Sequence, residues 1–166
     1  MDIELATLSR ELGDALAARG WRLSAAESCT GGWIAATVTD TPGSSAWFDR
    51  GFVTYSNAAK CEMLEVCPLT VDSHGAVSEE TVREMVAGAL AHSLADIAVA
   101  VSGIAGPDGG SAAKPVGTVC IGWGVYGDLP RIATCHFSGD REAVRRQTVI
   151  AALRGVIALA RGDADL

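Results

Sequence analysis

A chain of 166 residues with 49% hydrophobic and 20% charged content can bury roughly 70% of its unfolded surface, so neither a disulfide framework nor a structural metal is needed to hold it together. Thirteen Lys and Arg against 20 Asp and Glu leave a net charge of -7, which opposes a phosphate backbone and argues against nucleic acid as a partner. The apolar runs, such as 97–101 and 149–153, fall far short of the ~18–20 residues of a bilayer span, and Asp2, Glu4, Arg10 and Glu11 interrupt any signal-peptide core, so no membrane partner is expected.

Five cysteines, an odd number without a C-x-x-C pair, fit a reducing compartment and a cytoplasmic location. One domain over 1–166 is expected. The 19 glycines, about 11% against a typical ~7%, are the unusual feature of the composition.

Leu5, Leu8, Leu12 and Leu16 recur at helical spacing before Gly20, which predicts a helix over 2–19. A strand over 22–26 runs into E-S-C-T-G-G (27–32) and a short helix over 33–38, stopped by Thr41-Pro42-Gly43. Residues 51–55 read as a strand, and Ser56 as the cap of a helix from Asn57 to Leu64. A turn-rich stretch around Pro68 and Gly75 follows. Ser78 with Glu79 and Glu80 then opens a helix whose buried stripe is Val82, Met85, Val86, Ala89 and Leu90.

Residues 97–102 have the continuous β-branched character of a central strand covered on both faces. The glycine-rich loop 103–110 comes next, then strands over 116–125 and 131–137 joined closely enough to form a hairpin. Ser138-Gly139-Asp140 caps a last helix to Arg161. Strands separated by helices pair in parallel, whereas a hairpin forces one antiparallel neighbour. The fold class is therefore α/β: a three-layer α/β/α sandwich around a five-stranded mixed sheet with one strand antiparallel. The last helix is apolar on two sides, along Val149, Leu153, Val156 and Ala160 and along Ile150 and Ile157. That excess fits deep burial or a subunit contact, and a homodimer is expected.

Ligands in open α/β sheets gather at the carboxyl ends of the strands. Three segments arrive there: 27–32, 55–60 and 102–110. The first offers Ser28, Cys29 and Thr30 as nucleophiles, with Gly31 and Gly32 opening a helix where backbone N–H groups approach an anion; a plain Ser/Thr cap fits the same residues. Cys29 at a helix start reads as an activated thiolate. Lys60, near the positive end of its helix, is a candidate neutral base, against the common reading of a solvated lysine. Tyr55 is either an oxyanion donor and proton relay or a core tyrosine.

Ser102, Gly103 and Gly106 sit in a loop whose amides can surround a phosphate or ribose, although it is not a P-loop. Arg141, Arg145 and Arg146 are candidate phosphate clamps. His74, His92 and His136 lack ligand spacing, so no metal or other cofactor is expected. A non-catalytic nucleotide-binding or interaction domain is the rival to an enzyme.

A-E-S-C-T-G-G-W (26–33), G-S-S-A-W-F-D-R-G-F-V-T-Y-S-N-A-A-K (43–60), H-G-A-V-S-E-E-T-V (74–82), S-G-I-A-G-P-D-G-G-S-A-A-K-P-V-G-T-V (102–119) and F-S-G-D-R-E-A-V-R-R-Q (137–147) closely resemble the CinA carboxy-terminal domain family. The resemblance covers nearly the whole chain. It implies a nicotinamide-nucleotide amidase that converts nicotinamide mononucleotide into nicotinic acid mononucleotide and ammonia, in pyridine nucleotide recycling. It further implies the α/β/α fold, Ser28 as nucleophile, Lys60 as its base, Tyr55 as an assisting hydroxyl, and an anion site shaped by Thr30, Gly31 and Gly32. The phosphate is assigned to Arg141 and Arg145. Some relatives carry an additional amino-terminal domain, whose activity is expected to be absent from this chain.

Overall fold

A computed structural model describes residues 2–163. The first helix, α1 (Ile3–Arg19), starts where the Asp2 side chain accepts the N–H groups of Glu4 and Leu5, and it ends at Gly20. Its leucine stripe is buried, and full burial of each such side chain is worth about 1.5–3 kcal/mol. β1 (Leu23–Glu27) leads into α2 (Trp33–Thr39), and a single 3-10 turn at Ser44–Ala46 precedes β2 (Phe48–Val53). Helices α3 (Asn57–Leu64), α4 (Pro68–His74) and α5 (Glu79–Ala91) follow. Ser56 caps α3 through the N–H of Ala59, and Ser78 caps α5 through that of Thr81. β3 (Ile97–Gly103), β4 (Thr118–Val125), β5 (Arg131–His136) and α6 (Arg141–Arg161, capped by Asp140) complete the described chain.

The five strands form one sheet in the order β2-β1-β3-β4-β5. β1 pairs in parallel with β2 and β3, and β4 runs antiparallel to both β3 and β5, so β4 is the reversed strand. Both faces are covered. On one, α1, α2 and α6 pack Leu12, Leu16, Val149 and Leu153 against Val99 and Ile121. On the other, α5 lays Met85 and Val86 over Ala98 and Ala100, with Leu64 of α3 in the same cluster. At Gly88 the two helices touch backbone to backbone: a Cβ there would overlap the Leu64 carbonyl. The two apolar stripes of α6 are absorbed inside this layer, since Val149, Ile150, Leu153, Val156 and Ile157 are all buried within the chain. Deep burial thus accounts for both stripes, while Ile150 also borders a groove beside β5.

Three expectations about elements change. The turn-rich stretch around Pro68 and Gly75 is helix α4: proline occupies its first turn and Gly75 its end, so the two breaker residues bracket a helix. β2 starts three residues earlier and ends two residues earlier than the 51–55 reading, because pairing with β1 sets its register from Phe48 to Val53 and outweighs local propensity. The fourth strand begins at Thr118, two residues later than the 116–125 reading. No helix among the described residues is long and apolar enough to cross a membrane.

Candidate active site

The register of the parallel strands aligns Glu27 with Val53 on one side and Val101 on the other. Ser28, Thr54 and Ser102, the last still within β3, therefore lie side by side at the carboxyl edge of the sheet. They open on a cleft of about 230 Å³ whose walls include Ser28, Tyr55, Lys60, Ser102, Gly103 and Arg141. An adjoining cleft of about 630 Å³ is lined by Thr30, Gly31, Gly32, Trp33, Arg141 and Arg145. Arg141 belongs to both. A groove of about 620 Å³ between β5 and α6, walled by Trp123, Phe137 and Ile150, holds none of the candidate catalytic groups.

Lys60 is 1% exposed, which overturns the solvated-lysine reading. Capping by Ser56 starts α3 at Asn57, so its second half-turn points the Lys60 side chain back beneath the ends of β1 and β2. There Nζ lies 2.8 Å from the carbonyl oxygen of Thr54, 3.4 Å from that of Tyr55 and 3.0 Å from Ser28 Oγ. Burial pushes the Lys60 pKa below its ordinary 10.5, because the ammonium loses more hydration than the neutral amine. As an ammonium Lys60 donates to all three oxygens; once neutral it keeps two N–H donors for the carbonyls, and its lone pair can then accept from the serine hydroxyl.

Ser28 itself is held at both ends of its backbone: its N–H donates to the Val101 carbonyl and its carbonyl accepts the Gly31 N–H, each at 3.1 Å. Gly31 is therefore not a free oxyanion donor. The N–H groups of Cys29 and Thr30, by contrast, donate to no backbone carbonyl among the described residues. Cys29 points into the apolar cluster with Val101 and Ala105. Burial pushes its thiol up to about 11, the reverse of the lowering expected of a cysteine at a helix start. The hydroxyl of Ser102, a residue 1% exposed, makes no hydrogen bond within the described chain and faces the cleft.

Tyr55 is 62% exposed, so it is not a core tyrosine. Its hydroxyl accepts a hydrogen bond from Arg141 Nη2 at 3.1 Å, while Arg141 Nη1 donates to the Gly106 carbonyl at 2.8 Å. Arg141 thereby bridges the loops after β2 and β3. Arg145 donates to the carbonyls of Cys29 and Thr30, both at 3.0 Å, and lies over the Trp33 ring. Arg146 is no phosphate clamp: its guanidinium pairs with Asp2 at 2.6 Å and Glu4 at 2.7 Å and fastens α6 to the start of α1.

Two contributors were not singled out from the sequence. Val77, from the segment after α4, lines the Ser28 cleft, because α4 carries the chain back to the site. Glu27 is fully buried, and its carboxylate accepts the Thr30 hydroxyl at 2.6 Å and the N–H groups of Ile34 and Ala35 at 2.8 and 3.0 Å. The first amides of α2, expected to meet a ligand anion, are held by this internal one. A glutamate at the end of a wholly buried strand was the available signal. No group of three or more His, Cys, Asp or Glu side chains among the described residues is arranged to hold a metal.

Residues 5–160 match the CinA C-terminal domain family. The chain is 59% identical over 147 residues to the nicotinamide-nucleotide amidohydrolase PncC of Enterobacter agglomerans, covering 89% of this chain and 90% of that protein. It is 56% identical over 154 residues to the PncC of Escherichia coli strain K12, covering 92% and 93%. A crystal structure of the competence/damage inducible protein CihA from Agrobacterium tumefaciens superposes with a TM-score of 0.91 at 44% identity, covering 96% of this chain and 99% of that one. The chain belongs to the CinA C-terminal domain family.

Proposed function

We propose that this protein is a nicotinamide-nucleotide amidase that hydrolyses the carboxamide of nicotinamide mononucleotide through a Ser28–Lys60 pair. The printed names of the relatives at 59% and 56% identity support the substrate. The observation that carries the mechanism is the buried Lys60 amine, with Thr54 and Tyr55 carbonyls on its donors and Ser28 Oγ at 3.0 Å.

Ser28 Oγ attacks the carboxamide carbon while its proton passes to the Lys60 lone pair. The carbonyl oxygen becomes an oxyanion, which the N–H groups of Cys29 and Thr30 receive; that these two have no backbone acceptor among the described residues supports the assignment. Collapse of the tetrahedral intermediate breaks the C–N bond, and the Lys60 ammonium returns its proton to the departing nitrogen, which leaves as ammonia. Water, deprotonated by the again neutral Lys60, then attacks the acyl-serine ester; the ester C–O bond breaks, Lys60 returns the proton to Ser28 Oγ, and nicotinic acid mononucleotide is released. Ser102 offers the carboxamide an unpaired hydroxyl. The phosphate lies toward the second cleft, where Gly31, Gly32, Arg141 and Arg145 form the walls. Tyr55 acts by holding Arg141 rather than by touching Ser28. No step calls for a metal or an organic cofactor.

Ammonia release from nicotinamide mononucleotide by purified protein, with a chelator present, tests this reading. Binding of the nucleotide without release would overturn it in favour of a non-catalytic nucleotide-binding domain.

A further inference from the structure

We propose that Glu27 is a positioning residue for the nucleophile: its desolvated carboxylate clamps the turn 28–32 to the start of α2 and so fixes the direction in which Ser28 presents its oxygen. The inference rests on the reading of Ser28 as the nucleophile.

A fully buried carboxylate is costly unless donors or a cation compensate it. No lysine, arginine or histidine forms an ion pair with Glu27 among the described residues. The compensation is entirely local, from the Thr30 hydroxyl and the N–H groups of Ile34 and Ala35. Such donors are normally served by the residue that caps a helix. In α2 that place is taken by Gly32, whose φ of 101° suits glycine and which has no side chain to offer. The capping task has moved back to Glu27, on the far side of the nucleophile.

A serine or aspartate next to the helix would have capped α2 without reaching β1. Glu27 does more, because it holds the turn at both ends. Through its side chain it grips Thr30, Ile34 and Ala35, which follow Ser28. Through its backbone carbonyl it accepts the Thr54 N–H at 2.8 Å, and Thr54 in turn accepts from Lys60 Nζ at 2.8 Å. One residue thus links the strand that carries the serine, the carbonyl that orients the base and the helix that follows. From the opposite side, Arg145 holds the Cys29 and Thr30 carbonyls. Ser28 is the residue enclosed between these grips.

Glu27→Gln keeps the shape but replaces one acceptor oxygen with an NH2 group that faces a donor. The test measures kcat and KM for nicotinamide mononucleotide, the rate at which a small sulfonyl fluoride modifies Ser28, and the thermal melt. The expected result is a folded variant in which kcat and the labelling rate both fall, on the order of 10²-fold, with KM held within about threefold, because misplacement of a reacting group is read in the chemical step. A folded variant that keeps kcat and the labelling rate within about threefold overturns the proposal, as does a rise in KM with kcat unchanged. Should Glu27→Gln fail to fold, Thr30→Val, which removes one donor, carries the test: a fall of about tenfold in kcat and labelling supports the proposal, and no change overturns it. Unaltered protein that neither releases ammonia nor labels at Ser28 defeats the amidase reading and this one with it. Active unaltered protein beside an unimpaired Glu27→Gln defeats this one alone.

Discussion

Lys60 Nζ lies 3.0 Å from Ser28 Oγ, although 32 residues separate them in the chain. The contact exists because β1 and β2 are parallel neighbours, so the residues that follow each strand emerge at the same edge, and α3 then returns the lysine beneath them. In its neutral form this buried amine would spend its two donors on the Thr54 and Tyr55 carbonyls and turn its lone pair to the serine.

Removing either partner tests this relationship directly. Ser28→Ala and Lys60→Met are each expected to lower kcat by on the order of 10³-fold or more, and the double variant to lose little beyond either single one, since residues that act as a unit are strongly non-additive. Steady-state ammonia release measures this. Additive losses would show that the two side chains act separately.

The pH profile follows from the direction of the Lys60 shift. Burial places its pKa below 10.5, and only the neutral amine accepts the Ser28 proton. Activity is expected to rise with pH through the shifted value and then level off. Between that value and 10.5 the unfolded chain binds more protons at this position than the folded one, so the contribution of Lys60 to stability also rises with pH across that window. Lys60→Arg, charged throughout, should show no rising limb and negligible activity. Rates and urea midpoints over a pH series would check both statements.

Cys29 offers the contrasting case. With its thiol buried and pushed up to about 11, it is expected to resist iodoacetamide at pH 8 in the folded protein. Cys29→Ala should retain amidase activity within a few-fold and cost about 1 kcal/mol of stability. Loss of activity in Cys29→Ala together with its persistence in Ser28→Ala would assign the nucleophile to cysteine.

Arg141 separates recognition from chemistry. It stands in the walls of both clefts and holds the Tyr55 hydroxyl and the Gly106 carbonyl. Arg141→Ala is expected to raise KM for nicotinamide mononucleotide by about 10- to 100-fold, the loss of one charge-assisted contact, and to leave unchanged the turnover of free nicotinamide, which lacks the phosphate and is expected to be a poor substrate. An equal effect on both substrates would remove the phosphate from this arginine.

The seat of α3 is tested at Gly88, where a methyl group would overlap the Leu64 carbonyl. Gly88→Ala is expected to destabilise by about 2–3 kcal/mol, as overpacking of a close backbone contact does, and to lower Tm by roughly 5–10 °C. A calorimetric melt reads this. An unchanged Tm would mean that α3 moves freely against α5, a poor platform for Lys60.

Much of the architecture was readable from local signals. Ser56, Ser78 and Asp140 announced their helices because capping is a bond between a side chain and amides two or three residues away. The short link between β4 and β5 allowed only a hairpin. The site was legible as three loops, and Ser28, Lys60, Ser102 and Arg141 do meet at one cleft. Harder to read were α4, whose proline and glycine resemble turn residues until their places at its two ends are seen, and Arg146, a helix-face arginine whose partners lie at the other end of the chain. Glu27 was hidden for a similar reason. Its role depends on burial and on the glycine at 32, neither of which a one-dimensional pattern weighs.

The chain by itself determined most of the elements, the mixed sheet and the inventory of reactive groups, because propensity, capping and hydrophobic period act over a few residues. Only the tertiary structure decided which of those groups are dry, paired and aimed. Burial lowered the lysine and raised the cysteine, salt bridges removed Arg146 from the site, and register brought a serine and a lysine together at 3.0 Å. Desolvation and distance belong to the packed molecule, and these two set the protonation states on which the chemistry depends.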